Sequence, residues 1–459
     1  MVMIAQKMSV AILGASGYVG THLINHLLEH TPWTLKAISR SAVKKQHPRL
    51  EVITCDLYHH QQLIEILRDV EVVVYLVHSM LPSARLDQGY FQDFDLVLAD
   101  NLRRAVQINK VKHVIYLGAL IPKIKQLSTH LESRLEVEQC LSNGDHSFIS
   151  LRAGIIIGPN GSSFTLMYLL VKRLMFMICP SWTQTLTTPV DLEDMIELIT
   201  EKIAQRKSEI GDVGGETTLT YLQMMKELAG QLGLSRFFIK VPLFTPQLSR
   251  LWVSLVTGAP RNLVSPLVKS LRYPMVVDPS QRLMLQKRKF KTFEQSLRDT
   301  LTHVSNEVSA FQKRKFRQNE VRSIQRMLLS KVVPIQEIAA EYLAWLPRFL
   351  FPFIKVKIQD SQVCFCLLSQ KIILLQLQRD KEQSNEISQV FQIEKGLLVA
   401  RDNKGWLEFR KISDGKTIIA AIHRFIPALP WFIYRVTQAM IHWWVMKSFE
   451  KHLQRKRWQ

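Results

Sequence analysis

Residues 10–28, VAILGASGYVGTHLINHLL, contain an apolar run, three glycines and a second apolar run with a different period. The residues from Val10 to Leu13 form a short continuous apolar stretch, which predicts a buried strand. The stretch as a whole predicts a strand that turns into a helix through Gly14, Gly17 and Gly20. After the glycines, the apolar residues that follow the spacing of one helix face are Val19, Leu23, Ile24, Leu27 and Leu28.

A strand that enters a helix through glycines directs unpaired N–H groups and the positive end of the helix to one place. That place favours an anion, most simply the pyrophosphate of a dinucleotide. Gly14 permits the tight turn, Gly17 lets a phosphate approach the backbone, and Gly20 lets the helix pack closely on the strand. The three glycines by themselves are also consistent with a loop that is merely rich in glycine.

The composition is that of a globular chain with real cores. Of the 459 residues, 47% are hydrophobic and 22% are charged, and the length suggests two or three domains. Five cysteines occur without the spacing of a metal site, and we predict no bound metal. The cysteine usage, together with a first segment too short and polar for a signal peptide, favours the reducing cytoplasm.

The formal net charge is +21. Such a charge permits attraction to nucleic acid or to anionic membranes, but no nucleic-acid-binding motif accompanies it. We therefore expect a basic solvated surface and no nucleic-acid partner. Charged residues and prolines interrupt the longest apolar stretches, so no transmembrane segment is expected, while peripheral membrane contact stays open.

Apolar strands alternate with helical patterns from residue 8 to about 155. This alternation predicts a parallel sheet covered on both faces, that is, an α/β doubly wound fold. Helical patterns dominate from 160 to 300 and predict a cap over the carboxyl edge of the sheet. The sheet and the cap together make a first domain of residues 8–300. The predicted strands are SVAIL (9–13), TLKAIS (34–39), LEVITC (50–55), VEVVVYLV (70–77), VKHVIYL (111–117) and SFISLRAGIII (147–157), with helices near 18–30, 59–69, 88–109 and 130–142.

The composition changes again toward the end of the chain. Residues 301–320 contain the basic run QKRKFRQ (312–318) and are predicted to form a basic linker. Residues 321–455 are predicted to form a separate α+β accessory domain. Its pattern contains a helix near 335–346, several strands that include LLVARD (397–402), and one long aromatic helix from about 430 to 453.

Two strand ends carry residues suited to a dinucleotide. The second predicted strand ends at Ser39 and Arg40, where an acidic residue would bind the ribose of NAD. A guanidinium there suits the additional phosphate of NADP, so we expect NADP(H) to be preferred over NAD(H). The alternative is a solvent-exposed arginine that binds no ligand. Asp56, at the end of the third strand, is placed to meet the adenine side.

Six motifs occur in order: GASGYVG (14–20), CDL (55–57), YLVHSM (75–80), VIYLGAL (114–120), HLESRLEVE (130–138) and LRAGIIIGP (151–159). As a set they resemble the atypical short-chain dehydrogenase/reductase family, in particular its NmrA-like and epimerase-like NAD(P)-binding members. The resemblance covers roughly 8–300 and implies a Rossmann domain. By the pattern of that family, the cofactor-binding residues of this chain are Gly14, Ser16, Gly17, Tyr18, Val19, Gly20, Ser39, Arg40, Asp56, Leu57, Val77, His78 and Leu117.

The resemblance breaks down at the catalytic centre. Active members of the family use a serine after the fifth strand and a Tyr-x-x-x-Lys pair on the next helix. Here Gly118 and Ala119 stand in place of the serine, and His130 and Arg134 occupy the positions of the pair. Histidine exchanges protons near neutral pH, and Arg134 would favour its neutral form and could orient a ribose or phosphate. The alternative is that both residues lie on a solvated helix surface.

The C-terminal segment is similar to the helix-grip fold of START-like proteins, in which a sheet curls around a long helix. The aromatic residues of this segment could line an apolar cavity or press on a membrane, but at helical spacing such residues more often form a core. We expect packing within the chain to cover the helix, because its flanking charges are sparse. The aromatic residues concerned are Trp431, Phe432, Tyr434, Trp443 and Trp444.

These observations predict an NADP(H)-binding protein that oxidises, reduces or epimerises a small apolar substrate. His130 would be the proton donor and Arg134 the orienting cation. The alternative is a non-catalytic NADP(H)-binding redox sensor or assembly factor, which the combined loss of serine, tyrosine and lysine favours.

Overall fold

The computed structural model describes residues 7–41, 43–79, 84–241, 246–303, 319–352, 354–359, 361–367, 372–412, 415–456 and 458. The chain divides into two compact units. Unit 1 comprises Met1–Met80 and Asn101–Lys313, and unit 2 comprises Leu81–Asp100 and Arg314–Gln459. Most of the predicted basic linker, residues 304–318, lies outside the described residues.

The first third of the chain alternates strands and helices, as the sequence predicts. Its elements are β1 (Ser9–Leu13), α1 (Tyr18–His30), β2 (Thr34–Ser39), β3 (Leu50–Thr54), α2 (His60–Ile66), β4 (Val72–Tyr75), β5 (Leu86–Gln88), α3 (Phe91–Ile108), β6 (His113–Ala119), α4 (Thr129–Leu141) and β7 (Ser147–Ala153).

The next region, the predicted cap, is mainly helical. Its elements are β8 (Ile156–Ile157), α5 (Ser162–Arg173), β9 (Phe176–Pro180), β10 (Leu186–Thr187), β11 (Val190–Asp191), α6 (Leu192–Gln205), β12 (Glu209–Val213), β13 (Leu219–Thr220), α7 (Tyr221–Gln231), β14 (Phe237–Val241), α8 (Pro246–Thr257), α9 (Arg261–Ser270) and α10 (Phe293–His303), with short 3-10 helices at Ser181–Gln184 and Pro279–Gln281.

Seven of the described strands form the sheet of unit 1 in the order β12-β7-β6-β4-β1-β2-β3. Every neighbouring pair in this sheet is parallel. On one face Val10 and Ile12 join a core cluster that includes residues of α1 and α6. Ala11 and Leu13 point to the opposite face, and they are buried as well. Strands buried on both faces explain the continuous apolar runs. The predicted doubly wound α/β fold is confirmed.

The described part of unit 2 after residue 318 is an antiparallel sheet with helices. Its elements are β15 (Val321–Leu328), α11 (Ile335–Phe349), β16 (Ile354–Gln359), β17 (Gln362–Leu367), β18 (Ile373–Asp380), β19 (Ser388–Lys395), β20 (Trp406–Lys411), β21 (Thr417–Phe425), α12 (Trp431–Val436) and α13 (Gln438–Arg455).

Eight of the described strands form the sheet of unit 2, in the order β16-β17-β18-β19-β20-β21-β15-β5. Six of its seven strand pairs are antiparallel, and β5 adds to β15 in parallel. One face of the sheet packs on α11 and α13 through Phe409, Tyr342 and Phe449. The predicted α+β arrangement is thus observed, while the resemblance to a helix-grip fold stays a prediction.

Two local predictions in unit 2 are wrong. Residues 397–402, predicted as a strand, form turns between β19 and β20. The predicted single helix of 430–453 is broken at Thr437, whose φ of −121° and ψ of −87° are not helical. The N–H groups of Leu397 and Leu398 donate to the Ile373 and Leu374 carbonyls, and Val399 forms an isolated bridge with Pro427, but these bonds do not extend into a ladder.

Candidate active site

The glycine loop makes the predicted tight turn between β1 and α1. Gly14 has a φ of +89°, which side chains rarely tolerate. The backbone N–H groups of Gly14 and Ala15 donate to the Ile38 carbonyl at 3.0 and 3.2 Å. The loop is therefore fixed beside the end of β2, two residues before Arg40.

The same loop leaves space and donors for an anion. A Cβ atom on Gly20 would lie 2.5 Å from the Gly14 carbonyl oxygen, so only glycine permits this approach of the helix to the turn. Helix α1 begins after Gly17, and no side chain caps it. The N–H groups of its first turn therefore lack side-chain acceptors. Ser16 and Gly17 are exposed, so these residues fit the pyrophosphate of a dinucleotide.

Tyr18, predicted to bind the cofactor, places its side chain elsewhere. Its ring packs against Gly158 and Gly161, where any Cβ atom would collide with it. Burial raises the pKa of Tyr18, and the nearby Asp191 carboxylate raises it further. At this site Tyr18 can offer a ligand its backbone N–H rather than its hydroxyl group.

The ends of β2 and β3 lie at the same edge of the sheet as the glycine loop. Ser39 is buried and its hydroxyl donates to the Ser41 carbonyl, whereas Arg40 is exposed. The Asp56 carboxylate accepts a hydrogen bond from the Tyr58 N–H at 3.3 Å. Arg40 is accordingly accessible to a ligand.

His130 and Arg134 are buried, with 9% and 5% of their surfaces exposed. The alternative that they lie on a solvated helix surface is therefore wrong. Nε2 of His78 lies 3.2 Å from Nδ1 of His130. Nη1 of Arg134 donates to the Val77 carbonyl at 3.3 Å. Val77 and His78 of one predicted motif thus meet His130 and Arg134 of another, just after the carboxyl end of β4.

Helix α4 holds this pair in place. Its N-cap Ser128 accepts a hydrogen bond from the Leu131 N–H at 3.3 Å. His130 and Arg134, four residues apart, share the buried face of the helix. The hydroxyl group of Tyr116 on β6 donates to the Arg134 carbonyl at 3.1 Å. Residues Leu117, Gly118 and Ala119 complete β6 beside them.

An apolar cavity of about 160 Å³ adjoins His130 in unit 1. About half of its lining comes from α5, α8 and α9, and the lining as a whole is mainly aliphatic. Tyr221 is among the few polar groups, and burial raises its pKa to about 12, although the nearby Thr187 hydroxyl acts in the opposite direction. No motif in the sequence marks Tyr221 or the cavity, because the lining residues are scattered over elements from residue 119 to 275. The polar residues of the lining are His130, Ser163, Trp182, Tyr221 and Ser270.

Two further properties of the described residues bear on the site. They bring together no group of three or more His, Cys, Asp and Glu side chains that could hold a metal ion. Over the same ranges, no helix has both the length and the apolarity needed to cross a membrane.

The segment that carries the glycine loop and α4 matches a known family. Residues 10–160 match the NAD dependent epimerase/dehydratase family. This match confirms the predicted family resemblance for that segment and makes a nicotinamide dinucleotide the expected cofactor class.

One curated relative is the auxiliary protein GraX of Staphylococcus aureus (strain NCTC 8325 / PS 47). It is 33% identical to the chain over 113 residues, which are 24% of this chain. The chain spans about a third of the length of this relative, 36%.

Solved structures of enzymes that hold NAD or UDP-glucose resemble part of this chain at low identity. WbmG of Bordetella bronchiseptica, in complex with NAD, has a TM-score of 0.49 and 16% identity, covering 65% of this chain and 94% of its own. UDP-glucose 4-epimerase of Thermotoga maritima, with UDP-glucose, has a TM-score of 0.43 and 14% identity, covering 51% and 86%. Because these TM-scores lie below 0.5, the roles of residues are assigned from this chain's own geometry.

Proposed function

We propose that unit 1 binds NADP(H) and oxidises, reduces or epimerises a small, mainly apolar substrate. One observation carries this proposal: His130 both lines the apolar cavity and contacts His78, a residue predicted to border the cofactor. A group that can exchange protons near neutral pH thus lies between the predicted cofactor position and a space for a substrate.

The residues that would hold the cofactor fit a dinucleotide. The uncapped start of α1, with Ser16, Gly17 and the N–H groups that follow, would bind the pyrophosphate. Arg40 would bind the additional phosphate of NADP, and Asp56 would face the adenine side. Leu57, Val77 and Leu117 would contribute apolar or backbone contacts. When bound, the dinucleotide supplies or accepts a hydride.

The cavity sets the proposed substrate class. At about 160 Å³ it is smaller than the pockets that usually hold drug-sized ligands. Its mainly aliphatic lining offers few partners to a charged or strongly hydrated molecule. A small carbonyl compound or alcohol with an apolar body suits it better than a nucleotide sugar.

His130 would move the proton in such a reaction. When His78 donates from Nε2 to Nδ1 of His130, the neutral ring of His130 carries its own proton on Nε2. In the proposed reaction, that is the proton that His130 would transfer to a substrate oxygen. Arg134 keeps its charge at all relevant pH values, favours the neutral form of His130, and would orient the ribose or a phosphate.

A non-catalytic NADP(H) sensor or assembly factor is the second candidate. The observation that favours it is the loss of the family's serine, with Gly118 and Ala119 at the end of β6. The partial match to a protein named as auxiliary is also in keeping with this role. The five cysteines of this chain are all free thiols. This fits our proposal of a cytoplasmic location, whichever of the two functions holds.

Two experiments test both candidates. The first is calorimetric titration with NADPH. The second is a screen of small carbonyl compounds and alcohols for a change in absorbance of the reduced nicotinamide. Binding and turnover support the enzyme. Binding without turnover across the screen supports the sensor. No binding of NADPH overturns both candidates.

A further inference from the structure

The last two helices of unit 2 expose many large apolar side chains. Met440 is 62% exposed, and Trp443 and Trp444 are 48% and 50% exposed. The expectation that packing within the chain would cover this helix is therefore wrong for its outer face. The exposed apolar residues of α12 and α13 are Phe432, Ile433, Val436, Met440, Ile441, Trp443 and Trp444.

Of these residues, Trp444 packs on Phe349 of α11 with ring centroids 4.6 Å apart. The others lie outside the core cluster of unit 2. The inner face of α13 consists of Ala439, Met446, Phe449 and Leu453, which belong to the core cluster of unit 2. Phe449 meets Tyr342 with ring centroids 5.1 Å apart. The helix is thus anchored on one side, and Met440, Trp443 and the exposed half of Trp444 are available to another partner.

The outer face of α13 combines the apolar residues with cations. Met440, Trp444, Lys447, Lys451 and Arg455 follow one another at steps of four, three, four and four residues, the spacing of a single helix face. The first half of this stripe is apolar and aromatic, and the second half is basic. These charges are sparse along the sequence, but the helix aligns them with Met440 and Trp444.

The charge of this segment points to an anionic partner. From 429 to the last residue, the chain has six Lys and Arg residues against Glu450 alone, a formal charge of +5. Tryptophan and basic side chains on one face are typical of helices that lie in a membrane interface, where the rings sit at the level of the headgroups. None of the described helices can cross a bilayer, so such contact would be peripheral.

We propose that the outer face of α12 and α13 docks on an anionic lipid membrane. Phe432, Met440 and the two tryptophans enter the interface, while the exposed Lys451 and Arg455 meet the lipid phosphates. Lys447 is half-buried and pairs with Glu450 at 3.0 Å. This surface is independent of the proposed function of unit 1.

Vesicle flotation of the full chain tests the proposal. The protein is expected to float with vesicles of phosphatidylcholine and phosphatidylglycerol, to bind phosphatidylcholine vesicles much less, and to be released as salt is raised. The variants Met440→Ser/Trp443→Ser and Lys451→Glu/Arg455→Glu should each reduce binding roughly tenfold or more. Unchanged urea unfolding transitions would show that these exposed substitutions leave the fold intact.

Matched controls lie elsewhere on the surface. Phe176 and Phe237 of unit 1 form a stacked pair that is 58% and 57% exposed, so Phe176→Ser/Phe237→Ser removes equal apolar surface. Arg401→Glu/Lys404→Glu reverses two exposed charges in a turn of unit 2. Both controls should float like the unaltered chain.

Three results would overturn the proposal. The first is failure of the unaltered chain to bind anionic vesicles. The second is an equal loss of binding in the control variants. The third is an oligomer that Met440→Ser/Trp443→Ser dissociates while no vesicle binding occurs, which would make this face a contact between protein copies.

Discussion

The imidazole rings of His78 and His130 stack with centroids 5.0 Å apart and planes at 10° to each other. The pair joins the end of β4 to the buried face of α4, and one of its nitrogens must donate to the other across 3.2 Å. The tautomer of one ring therefore depends on that of the other.

In the reaction found by the screen, His130→Gln should lower kcat by about 10²–10⁴-fold, because it removes the proton donor. His78→Phe keeps a ring but no nitrogen, so it should lower kcat less and change the pH profile of kcat. Steady-state kinetics and NADPH titration check both variants. His30→Gln, at an exposed histidine of α1, is the control. Unchanged kcat and pH profile in both variants would remove His130 from the mechanism.

Arg40→Ala should weaken NADPH binding by about 1.5–3 kcal/mol, which is roughly tenfold to a hundredfold in affinity, because a charge-assisted hydrogen bond is lost. NADH binding should hardly change, since NADH lacks the additional phosphate. Calorimetry with both cofactors measures the difference. Lys112→Ala, an exposed cation at the opposite edge of the sheet before β6, should leave both affinities unchanged. Equal losses for NADPH and NADH in Arg40→Ala would contradict the assignment.

Gly20→Ala should destabilise unit 1 by about 1–3 kcal/mol, because its Cβ would lie 2.5 Å from the Gly14 carbonyl oxygen and 3.0 Å from Ala15 Cα. Cofactor affinity should fall with it, since the turn must open. Gly230→Ala in α7 is the matched control, because nothing lies within 4 Å of the added atom. The free energy of unfolding of that variant should rise by about 0.5–1 kcal/mol, because alanine has a higher helix propensity than glycine. Urea unfolding measures both, and an equal response of the two variants would argue against the close approach.

Arg410→Met should destabilise unit 2 by about 3–5 kcal/mol, because it leaves buried carboxylates without their partner. Nε of Arg410 lies 2.7 Å from Oε1 of Glu408, and Nη1 lies 3.4 Å from Oδ2 of Asp100. The exposed pair Arg298–Glu294 provides the control, and Arg298→Met should cost less than about 1 kcal/mol. Urea unfolding followed by a probe in unit 2 distinguishes the two. A loss under 1 kcal/mol in Arg410→Met would show that the buried pair adds little.

The same network predicts a dependence of stability on pH. Burial alone would raise the pKa of Glu408, but Arg410 and His423 outweigh it and hold that pKa well below its usual range. The stabilisation is therefore full above the ordinary pKa of a glutamate and is lost as the pH falls through the lowered pKa. Urea unfolding at a series of acidic pH values should show a smaller decline for Arg410→Met than for the unaltered chain. Parallel curves would contradict the coupling.

The sequence by itself determined the doubly wound sheet, the turn at Gly14 and the positions of the strand ends. These features follow from the period of the apolar residues, the spacing of the glycines and the alternation of strands and helices, which are patterns over short stretches of sequence. The sequence did not determine that β5, three residues long, adds to β15 more than 230 residues later, or that His78 would meet His130. Nor did it show the cavity, or that the outer face of α13 would remain exposed. Such contacts depend on how distant segments pack, and a strand or a buried polar group is stabilised only by the partner that packing provides.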